Sequence, residues 1–455
     1  MTHTTEALAQ FALDMRYDDL APAVVTAVKR VVLDTLGCAI GAIDCEPARI
    51  AWRASPSPGA AAPATIIGAR ERGTLEQALL VNGILARYLD YGDVYWKRDV
   101  CHPSELVPVA LACVEQRGGS GKAFIEALLA GYEAQLRLCD AYSFQAVGMH
   151  NISSVGFVAP LIIGRAWGME AREIANAVAL NGVRHLTLFG MAKGELSMAK
   201  AIAAPLACVE AVGACRLAAG GYTGPLAILD WMFGHLPEGL EDRDRKSVDV
   251  DRSSYRVERV SLKRHPVQFE IQGAVEAALE LFGTLPGRAS ETVAAITVTM
   301  NPVSCERTAD PGKYRPSTRE SADHSTPCCV AMALQDGKLV PSQFERGRWA
   351  DADIIALMQR VRVVGDATLD AAHPGGRPCT VALELANGTA AQRTIEIPSG
   401  DARQPMSPHE VREKFDALAT SRVSASRARE IAAAVDALEH LDRIADLARL
   451  LAAEA

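Results

Sequence analysis

The spacing of apolar residues changes twice along this chain of 455 residues, and these changes restrict the folds open to it. Through about residue 235, apolar side chains recur at the spacing of amphipathic helices. After about Glu258, a strand-like alternating pattern is mixed with helical spacing, and helical spacing returns from Ser407 to the C-terminus. This order predicts a helical domain into which a smaller α+β domain is inserted.

Glycines support the helical reading of the first part, because Gly118-Gly119 and Gly220-Gly221 end helical patterns. Gly156, Gly164 and Gly182 lie within or beside apolar helices, where the missing side chain permits close helix crossings. The predicted helices are Ala7–Met15, Ala23–Ala42, Leu75–Tyr91, Leu106–Gln116, Ala123–Tyr142, Val155–Trp167, Ala171–Asn181 and Ser197–Ala219.

Strand signals are confined to the second part of the chain. Val293–Met300 alternates, while Cys379–Leu385 and Arg393–Ile397 flank Ala386-Asn387-Gly388 as in a hairpin. Further helices are predicted at Gly273–Leu281, Ser325–Gln335, Asp351–Gln359 and Ala428–Leu451. We predict a mainly α protein with an α+β second domain: residues 1–260 and 403–455 form the helical domain, and residues 261–402 form an inserted α+β lid.

The length of 455 residues favours two domains, because it is long for a single core. The composition, 49% hydrophobic and 22% charged, is that of an ordinary globular protein. The net charge of −8 argues against general nucleic-acid binding, although a local cationic pocket can still hold an acidic substrate. No apolar run reaches the roughly 18–20 residues needed to span a bilayer, so we expect a soluble protein with no membrane association.

The eleven cysteines include no C-x-x-C pair, so no zinc or iron–sulfur site is expected. The odd count and the lack of a signal-peptide pattern predict reduced thiols in a cytoplasmic enzyme. Glycine-rich phosphate loops, the G-x-S-x-G elbow and H-E-x-x-H are also missing, which excludes the usual nucleotide, serine-hydrolase and zincin patterns.

Candidate acid–base residues lie where predicted helices end and begin. Asp90 closes one helix and His102 precedes the next; a carboxylate beside a histidine can orient the ring and raise its basicity. The alternative is helix capping by Asp93 and Ser104 with a surface histidine. His150 lies in a similar loop, and a structural role is its alternative.

Candidate carboxylate-binding residues come from distant segments. Lys200 lies at the start of a helix, where the helix dipole disfavours a cation unless it meets an anion or reaches solvent. Lys263 and Arg264 lie at the domain junction, either in a solvated linker or as a clamp for a polyanion. Together with Arg319, this cationic set suits a dicarboxylate or tricarboxylate.

The segment from Thr318 to Cys329 has the most concentrated polar pattern. Asp323, His324 and Ser325 precede Pro327 and an apolar helix, and a helix entrance favours an anionic ligand. A solvated polar loop is the alternative.

These motifs resemble the MmgE/PrpD family over nearly the whole chain. The resemblance rests on ordered motifs: Tyr88-Leu89-Asp90, His102-Pro103-Ser104, Gly194-Glu195-Leu196-Ser197 with Lys200, Gly221-Tyr222-Thr223-Gly224-Pro225, Lys263 to Pro266 with Gln268-Phe269, and Thr318 to Ser325. It implies a helical domain with an inserted α+β lid, a homodimer, and cofactor-independent chemistry on small polycarboxylates.

The resemblance also implies an active site. By motif position it points to Asp90, His102, His150, Lys200 and Lys263 as catalytic residues. His102 is then base or acid, oriented by Asp90, and His150 is its counterpart at the departing hydroxyl.

Substrate-binding roles are expected for five further positions, Arg264, Gln268, Arg319, His324 and Cys328. Gln268 stands where glutamate or histidine is common in the family, and Cys328 stands where tyrosine is common. Both changes predict a pocket that differs from that of the usual 2-methylcitrate dehydratase.

We therefore expect a lyase of the dehydratase type that acts on a small hydroxy-di- or tricarboxylate without a cofactor or metal. A decarboxylase of the cis-aconitate type, an epimerase, and a non-catalytic carboxylate-binding member are the alternatives. A nucleophilic role for Cys328 is a more remote one, since no base is paired with it in the sequence.

Overall fold

Helices dominate the fold, as the apolar spacing predicts. The computed structural model describes residues 2–56, 63–234, 246–372 and 376–454. The helices before the insertion are α1 Thr4–Asp14, α2 Pro22–Gly41, α3 Glu46–Ala54, α4 Leu75–Tyr88, α5 Val107–Gln116, α6 Gly121–Ala141, α7 Ser153–Trp167, α8 Ala171–Gly182, α9 Ala199–Ala219 and α10 Ile228–Gly234.

The predicted α+β segment contains a four-stranded sheet covered by helices. Its helices are α11 Gln272–Phe282, α12 Ala289–Thr292, α13 Pro302–Thr308, α14 Arg319–Ala322, α15 Thr326–Asp336, α16 Pro341–Glu345 and α17 Ala352–Met358. The C-terminal helices are α18 Pro408–Ala419, α19 Ala425–Asp436 and α20 Ala445–Leu451. The helical apolar spacing in the sequence before and after the sheet therefore corresponds to helices in the structure.

Nine strands are described, and four of them form the larger sheet. In chain order the strands are β1 Ala64–Thr65, β2 Arg72–Gly73, β3 Asp93–Trp96, β4 Val100–Cys101, β5 Ser261–Leu262, β6 Val293–Met300, β7 Val361–Gly365, β8 Cys379–Leu385 and β9 Ala390–Ile395. The larger sheet has the order β7-β6-β8-β9, with β7 parallel to β6 and the other neighbours antiparallel. The predicted hairpin is confirmed, although its second strand begins at Ala390 rather than Arg393.

Buried apolar residues form two separate cores. One contains residues between Leu8 and Leu262 together with residues from Met406 to Leu451, and the other lies between Val267 and Leu383. Helices before and after the insertion thus share one core, because α18 packs against α2. The exact division at residues 260 and 402 stays a prediction.

The predicted helix Leu75–Tyr91 ends early, at Tyr88. Asp90 has a φ of 49°, and it is the single non-glycine residue with positive φ in the described ranges. A left-handed residue cannot continue a right-handed helix, and for a residue with a side chain this conformation costs about 1 kcal/mol. The break turns the chain so that Asp90 leaves the helix axis.

Beside this break the structure contains a three-stranded sheet that the sequence did not predict. Strand β3 pairs with β4 and also with β5, whose register places Asp93 opposite Leu262. Strands of two to four residues carry too little alternation to be recognised in a sequence. Their pairing brings Lys263, next in the chain after β5, beside the Asp90 turn.

The predicted helix Ala428–Leu451 is also wrong, since it is broken between α19 and α20. The amide of Gly121 donates to the carbonyl of Leu441 at 2.8 Å, and the amide of Ile444 donates to the carbonyl of Gly119 at 2.8 Å. These bonds use backbone groups that a continuous helix would have paired internally. Contacts with the start of α6 therefore compete with helix continuation.

The predicted close helix crossings are confirmed at the three glycines. A Cβ atom on Gly182 would lie 2.1 Å from the ring of Phe157, and one on Gly164 would lie 2.6 Å from Ile174. At Gly156 it would meet the carbonyl oxygen of His185 at 3.2 Å. Helix α7 can approach α8 this closely because these positions lack a side chain.

Helix α9 corrects the expectation that no apolar run is long enough to cross a membrane. It has 21 residues and a mean hydropathy of 1.6 over its most apolar window, of which 56% is buried inside the protein. In the fold it packs against α4, α7 and α8. An apolar helix of this kind is also found in the core of globular proteins.

Candidate active site

A cavity of about 140 Å³ brings together seven of the ten residues singled out in the sequence. They are Asp90, His102, His150, Lys200, Lys263, Gln268 and His324. The helical part contributes the first four of these and the segment after residue 260 contributes the other three. The cavity therefore lies where the two parts of the chain meet.

Asp90 lies at the centre of a buried cationic group. Lys263 Nζ donates to the Asp90 carboxylate at 2.8 Å and to its backbone carbonyl at 2.9 Å, while Arg87 bonds the other carboxylate oxygen. Lys200 Nζ lies 3.5 Å from the same carboxylate. Burial alone would raise the pKa of Asp90, but the charges of Lys200, Lys263 and Arg87 hold it well below its usual range.

Burial also shifts the pKa of Lys263, and it lowers this pKa. Only 2% of its surface is exposed, and desolvation lowers the pKa of its ammonium to about 8, although Asp90 favours the charged form. Lys263 therefore loses its charge in mildly alkaline solution, around its pKa of about 8.

Lys200 connects Asp90 to a second carboxylate. Its Nζ lies 3.3 Å from Asp323 Oδ1, and Asp323 also accepts from Arg319 at 3.1 Å. His324 Nδ1 is 2.5 Å from the same Asp323 oxygen, so that nitrogen carries the proton. The odd position of Lys200 at a helix start is explained by these two carboxylates.

Asp90, Asp323 and His324 have ligand atoms within 4.8 Å of one another, a spacing that could suit a metal ion. The Lys200 ammonium, however, lies within 3.5 Å of both carboxylates. It supplies the positive charge that a metal would bring to these oxygens. This cluster is therefore better described as a carboxylate–ammonium network.

His102 is oriented by the backbone rather than by Asp90, which corrects the expected arrangement. Its Nδ1 lies 2.8 Å from the carbonyl oxygen of Asp93, an acceptor, so Nδ1 carries the proton and Nε2 carries the lone pair. Burial, followed by the charges of Arg87 and Lys263, lowers the pKa of His102 well below its usual value. A neutral imidazole with a free Nε2 has the form of a general base.

His150 has the opposite tautomer. Its Nδ1 accepts from the backbone N–H of Ile152 at 3.3 Å, so Nε2 carries the proton. Burial lowers its pKa to about 4, with the charges of Arg87, His324 and Arg307 adding to the effect. His150 is thus a neutral hydrogen-bond donor at the cavity.

The Asp93 carboxylate lies behind His102. It accepts from the backbone N–H of Ser104 at 3.0 Å and from the hydroxyl of Tyr132. Asp93 and Ser104 thus contact each other, as the helix-capping alternative requires, but His102 is buried and lines the cavity. Burial raises the pKa of Asp93 to about 6.

Gln268 lines the cavity, but its amide is engaged. Its Nε2 donates to Glu270 at 2.6 Å, and its Oε1 accepts from the Glu270 backbone N–H at 2.6 Å. Both the nitrogen and the oxygen of the Gln268 amide are therefore already hydrogen-bonded to Glu270.

Three predicted substrate contacts lie elsewhere, and the structure does not support their expected positions. Arg264 pairs with Glu410 at 2.6 Å, and Arg319 donates to Asp323 and to the Tyr88 carbonyl at 2.9 Å. Cys328 is fully buried in the second core, where desolvation raises the pKa of its thiol. None of the three is among the described residues that line the cavity.

The helix entrance at Ser325 is also closed to an anion from outside. Ser325 is the N-cap of α15, its Oγ accepts from the Cys328 N–H at 3.1 Å, and its surface is fully buried. The free donor on which the predicted anion site depended is therefore satisfied internally.

Two arginines of the cavity were missed in the sequence, Arg87 and Arg307. Arg87 pairs with Asp90 and with Glu105, the latter at 3.0 Å. A signal for Arg87 existed, since it lies three residues before Asp90 on a mainly apolar helix. No comparable signal marks Arg307, whose neighbours in the sequence are polar.

Fold and cavity together define a two-domain protein with a carboxylate–ammonium network and neutral histidines at the junction of its parts. The chain belongs to the MmgE/PrpD family: the family's N-terminal domain matches residues 6–244 and its C-terminal domain matches residues 265–440. The second match extends past residue 402, where the inserted segment was predicted to end.

Relatives over most of the chain include 2-methylcitrate dehydratases and a cis-aconitate decarboxylase. It is 29% identical to a 2-methylcitrate dehydratase of Cupriavidus necator, with 86% of this chain and 84% of that protein covered. A 2-methylcitrate dehydratase of Escherichia coli is 26% identical over the same shares. A cis-aconitate decarboxylase of Mus musculus is 23% identical, with 98% of this chain and 93% of that protein covered.

Proposed function

We propose that this protein is a hydro-lyase of the 2-methylcitrate dehydratase type, acting on a small hydroxy-di- or tricarboxylate. The observation that carries the proposal is the pair of neutral histidines with opposite tautomers, His102 and His150, in one cavity with a buried cationic network. The similarity to named 2-methylcitrate dehydratases supports it.

Dehydration needs a base for a weakly acidic C–H beside a carboxylate. In this proposal the Nε2 lone pair of His102 takes that proton, and the C–H electrons form the new double bond. The charges of Lys200 and Lys263 stabilise the negative charge that develops on the carboxylate. His102 returns the proton to the departing hydroxyl, which leaves as water, while the His150 N–H hydrogen-bonds the leaving oxygen.

Turnover of candidate acids by the purified protein is the direct test. We expect 2-methylcitrate or citrate to give an unsaturated acid, followed by its ultraviolet absorbance, without release of CO₂. Release of CO₂ from cis-aconitate would instead favour the decarboxylase named among the relatives. Loss of optical rotation without a new double bond would indicate an epimerase, and no turnover of any of these acids would overturn the catalytic proposal.

Substitution of each histidine tests the assigned residues. His102→Asn should lower kcat by about 10²–10⁴-fold, the range for lost acid–base catalysis, and His150→Phe should lower it by about 10²–10³-fold, the range for a lost hydrogen-bond donor. His409→Asn is the matched control, since 81% of its side chain is exposed. Normal activity in both cavity variants would remove these histidines from the mechanism.

A homodimer is also proposed, on the resemblance to the family and on exposed apolar side chains of α9. Leu206 and Leu217 are 45% and 52% exposed, and the neighbouring Met198 is 41% exposed. Exposed apolar side chains along one helix are a feature of some interaction surfaces. Light scattering of the purified protein measures the oligomeric state, and a monomer at all concentrations would contradict the proposal.

A further inference from the structure

The cations that line the cavity differ in how far protein carboxylates already neutralise them. Lys200, Lys263 and Arg87 all contact Asp90, and each of the first two lies within 3.5 Å of its carboxylate. Arg87 has Glu105 as a second partner, and Lys200 has Asp323. The charge of this network is therefore largely balanced within the protein.

Arg307 lies in the same cavity with weaker partners. Its Nη2 donates to the neutral amide oxygen of Gln145 at 2.9 Å, and its Nη1 lies 3.7 Å from Glu270 Oε2. That carboxylate already accepts from the Ser304 hydroxyl at 2.8 Å and from Gln268 at 2.6 Å. A guanidinium has five N–H donors, so these contacts leave donors for a ligand.

The position of Arg307 is defined by an aromatic wall. Its guanidinium lies 5.4 Å from the centre of the Trp96 ring, and Trp96 lines the cavity. Arg307 lines the cavity, and about 29% of its side chain is exposed. A guanidinium placed in this way can bind a carboxylate through two parallel hydrogen bonds.

A second guanidinium lies behind this wall. Arg377 is 4.1 Å from the centre of the Trp96 ring and 4.7 Å from that of Phe269, and it is 6% exposed. Its Nε and Nη2 have no hydrogen-bond partner among the described residues. Nearby Asp401 is already paired with Arg403 at 2.8 Å. At the Trp96 end of the cavity, the two positive charges of Arg307 and Arg377 therefore face one buried carboxylate, that of Glu270.

Two other carboxylates line the cavity but have partners of their own. Glu306 lies 3.3 Å from Lys193 Nζ, and Asp310 accepts from the Gly312 N–H at 2.9 Å. Within the described residues, neither carboxylate forms a hydrogen bond or an ion pair with Arg307.

We propose that Arg307, with Gln145 beside it, forms a second carboxylate-binding subsite, separate from the network around Asp90. This inference rests on the proposed function in taking a polycarboxylate as the ligand. It specifies the substrate class further: one carboxylate faces Lys200 and Lys263, and another is held at the Trp96 end. The protein should therefore bind a dicarboxylate, which can occupy both subsites, more tightly than the monocarboxylate that lacks one of its carboxylates.

A pair of unreactive acids tests the subsite independently of turnover. Glutarate is butyrate with one further terminal carboxylate, and calorimetry measures the affinity of each. We expect wild type to bind glutarate more tightly. Arg307→Met should weaken glutarate binding about 10- to 100-fold, as expected for a lost charged hydrogen bond, and leave butyrate binding nearly unchanged.

Two further variants complete the test. Arg307→Lys keeps the charge but not the two-pronged donor, so it should lie between wild type and Arg307→Met. Arg315→Met is the matched control, because Arg315 is exposed on the same segment and does not line the cavity. A thermal unfolding curve for each variant shows that the fold is retained.

Three outcomes would overturn the subsite: no binding of either acid to wild type, unchanged glutarate affinity in Arg307→Met, or an equal loss for both acids. The result is distinguishable from failure of the proposed function. Selective binding through Arg307 without turnover would leave the subsite in place and remove the dehydratase. Turnover by wild type, together with unchanged relative affinity for the two acids in Arg307→Met, would support the dehydratase and remove the subsite.

Discussion

At the scale of single residues, backbone partners decide the chemistry of the two cavity histidines. His102 and His150 have the same unperturbed pKa, and burial keeps both neutral. They differ because Nδ1 of one faces a carbonyl and Nδ1 of the other faces an N–H. A sequence can suggest both histidines as catalytic candidates, but only the fold supplies these partners.

Lys263 should set the alkaline limit of activity. Below a pKa of about 8 its ammonium is charged and holds Asp90; above it the charge is lost. We expect kcat/KM to be nearly constant from about pH 5 to 7.5 and to fall about tenfold per pH unit above about 8. Measurement of kcat/KM against pH in overlapping buffers checks this.

Lys263→Arg is the comparison for that profile. Arginine keeps its charge in alkaline solution, so the variant's activity, although lower, should not fall near pH 8. The same alkaline limb in the variant would assign the titration to another group.

At the scale of elements, short or broken elements position the site. Strand β5 has two residues, yet its pairing with β3 brings Lys263 to Asp90, which are far apart in the sequence. The left-handed Asp90 ends α4 where apolar spacing predicts that the helix continues. Long elements with clear periodicity were predicted well, whereas these elements depend on tertiary contacts.

The crossing of α7 and α8 gives a prediction at this scale. In Gly182→Ala the new methyl group would meet the Phe157 ring at 2.1 Å, so overpacking should lower the free energy of unfolding by about 1–3 kcal/mol. Gly213→Ala, within α9 and with nothing within 4 Å, should instead raise it by about 1 kcal/mol through helix propensity. Urea denaturation measures both, and equal effects would contradict the packing argument.

At the scale of the whole molecule, a C-terminal helix supports the site through Lys414. Its Nζ donates to the carbonyls of Tyr91 and Lys263 at 2.6 and 2.9 Å, and it pairs with Asp34 of α2 at 2.6 Å. One buried ammonium thus joins α18, α2 and both segments that carry the Asp90–Lys263 pair.

Lys414→Met should therefore lower both stability and activity. Loss of one partner from a buried pair costs about 3–5 kcal/mol, because Asp34 is left buried without its counter-charge. In Asp34→Leu/Lys414→Met much of that stability should return, since no buried charge remains unpaired. Activity should not return with it, because the Tyr91 and Lys263 carbonyls still lack their donor.

Urea unfolding and turnover of the same samples separate the two effects. Recovery of activity in proportion to stability would show that Lys414 matters only for folding. Low activity in a restored fold would show that it positions the site.

The sequence by itself determined the helical character, the place of the α+β segment, the family, and seven residues that line the cavity. Periodicity and motifs depend on residues that are close in the sequence, so they can be recognised before the structure is known. Tertiary structure alone decided the protonated nitrogen of each histidine, the recruitment of Arg87 and Arg307, and the burial of Cys328 in the second core. Each of these depends on which distant groups meet, because the pKa of a group and its hydrogen bonds are set by its spatial neighbours.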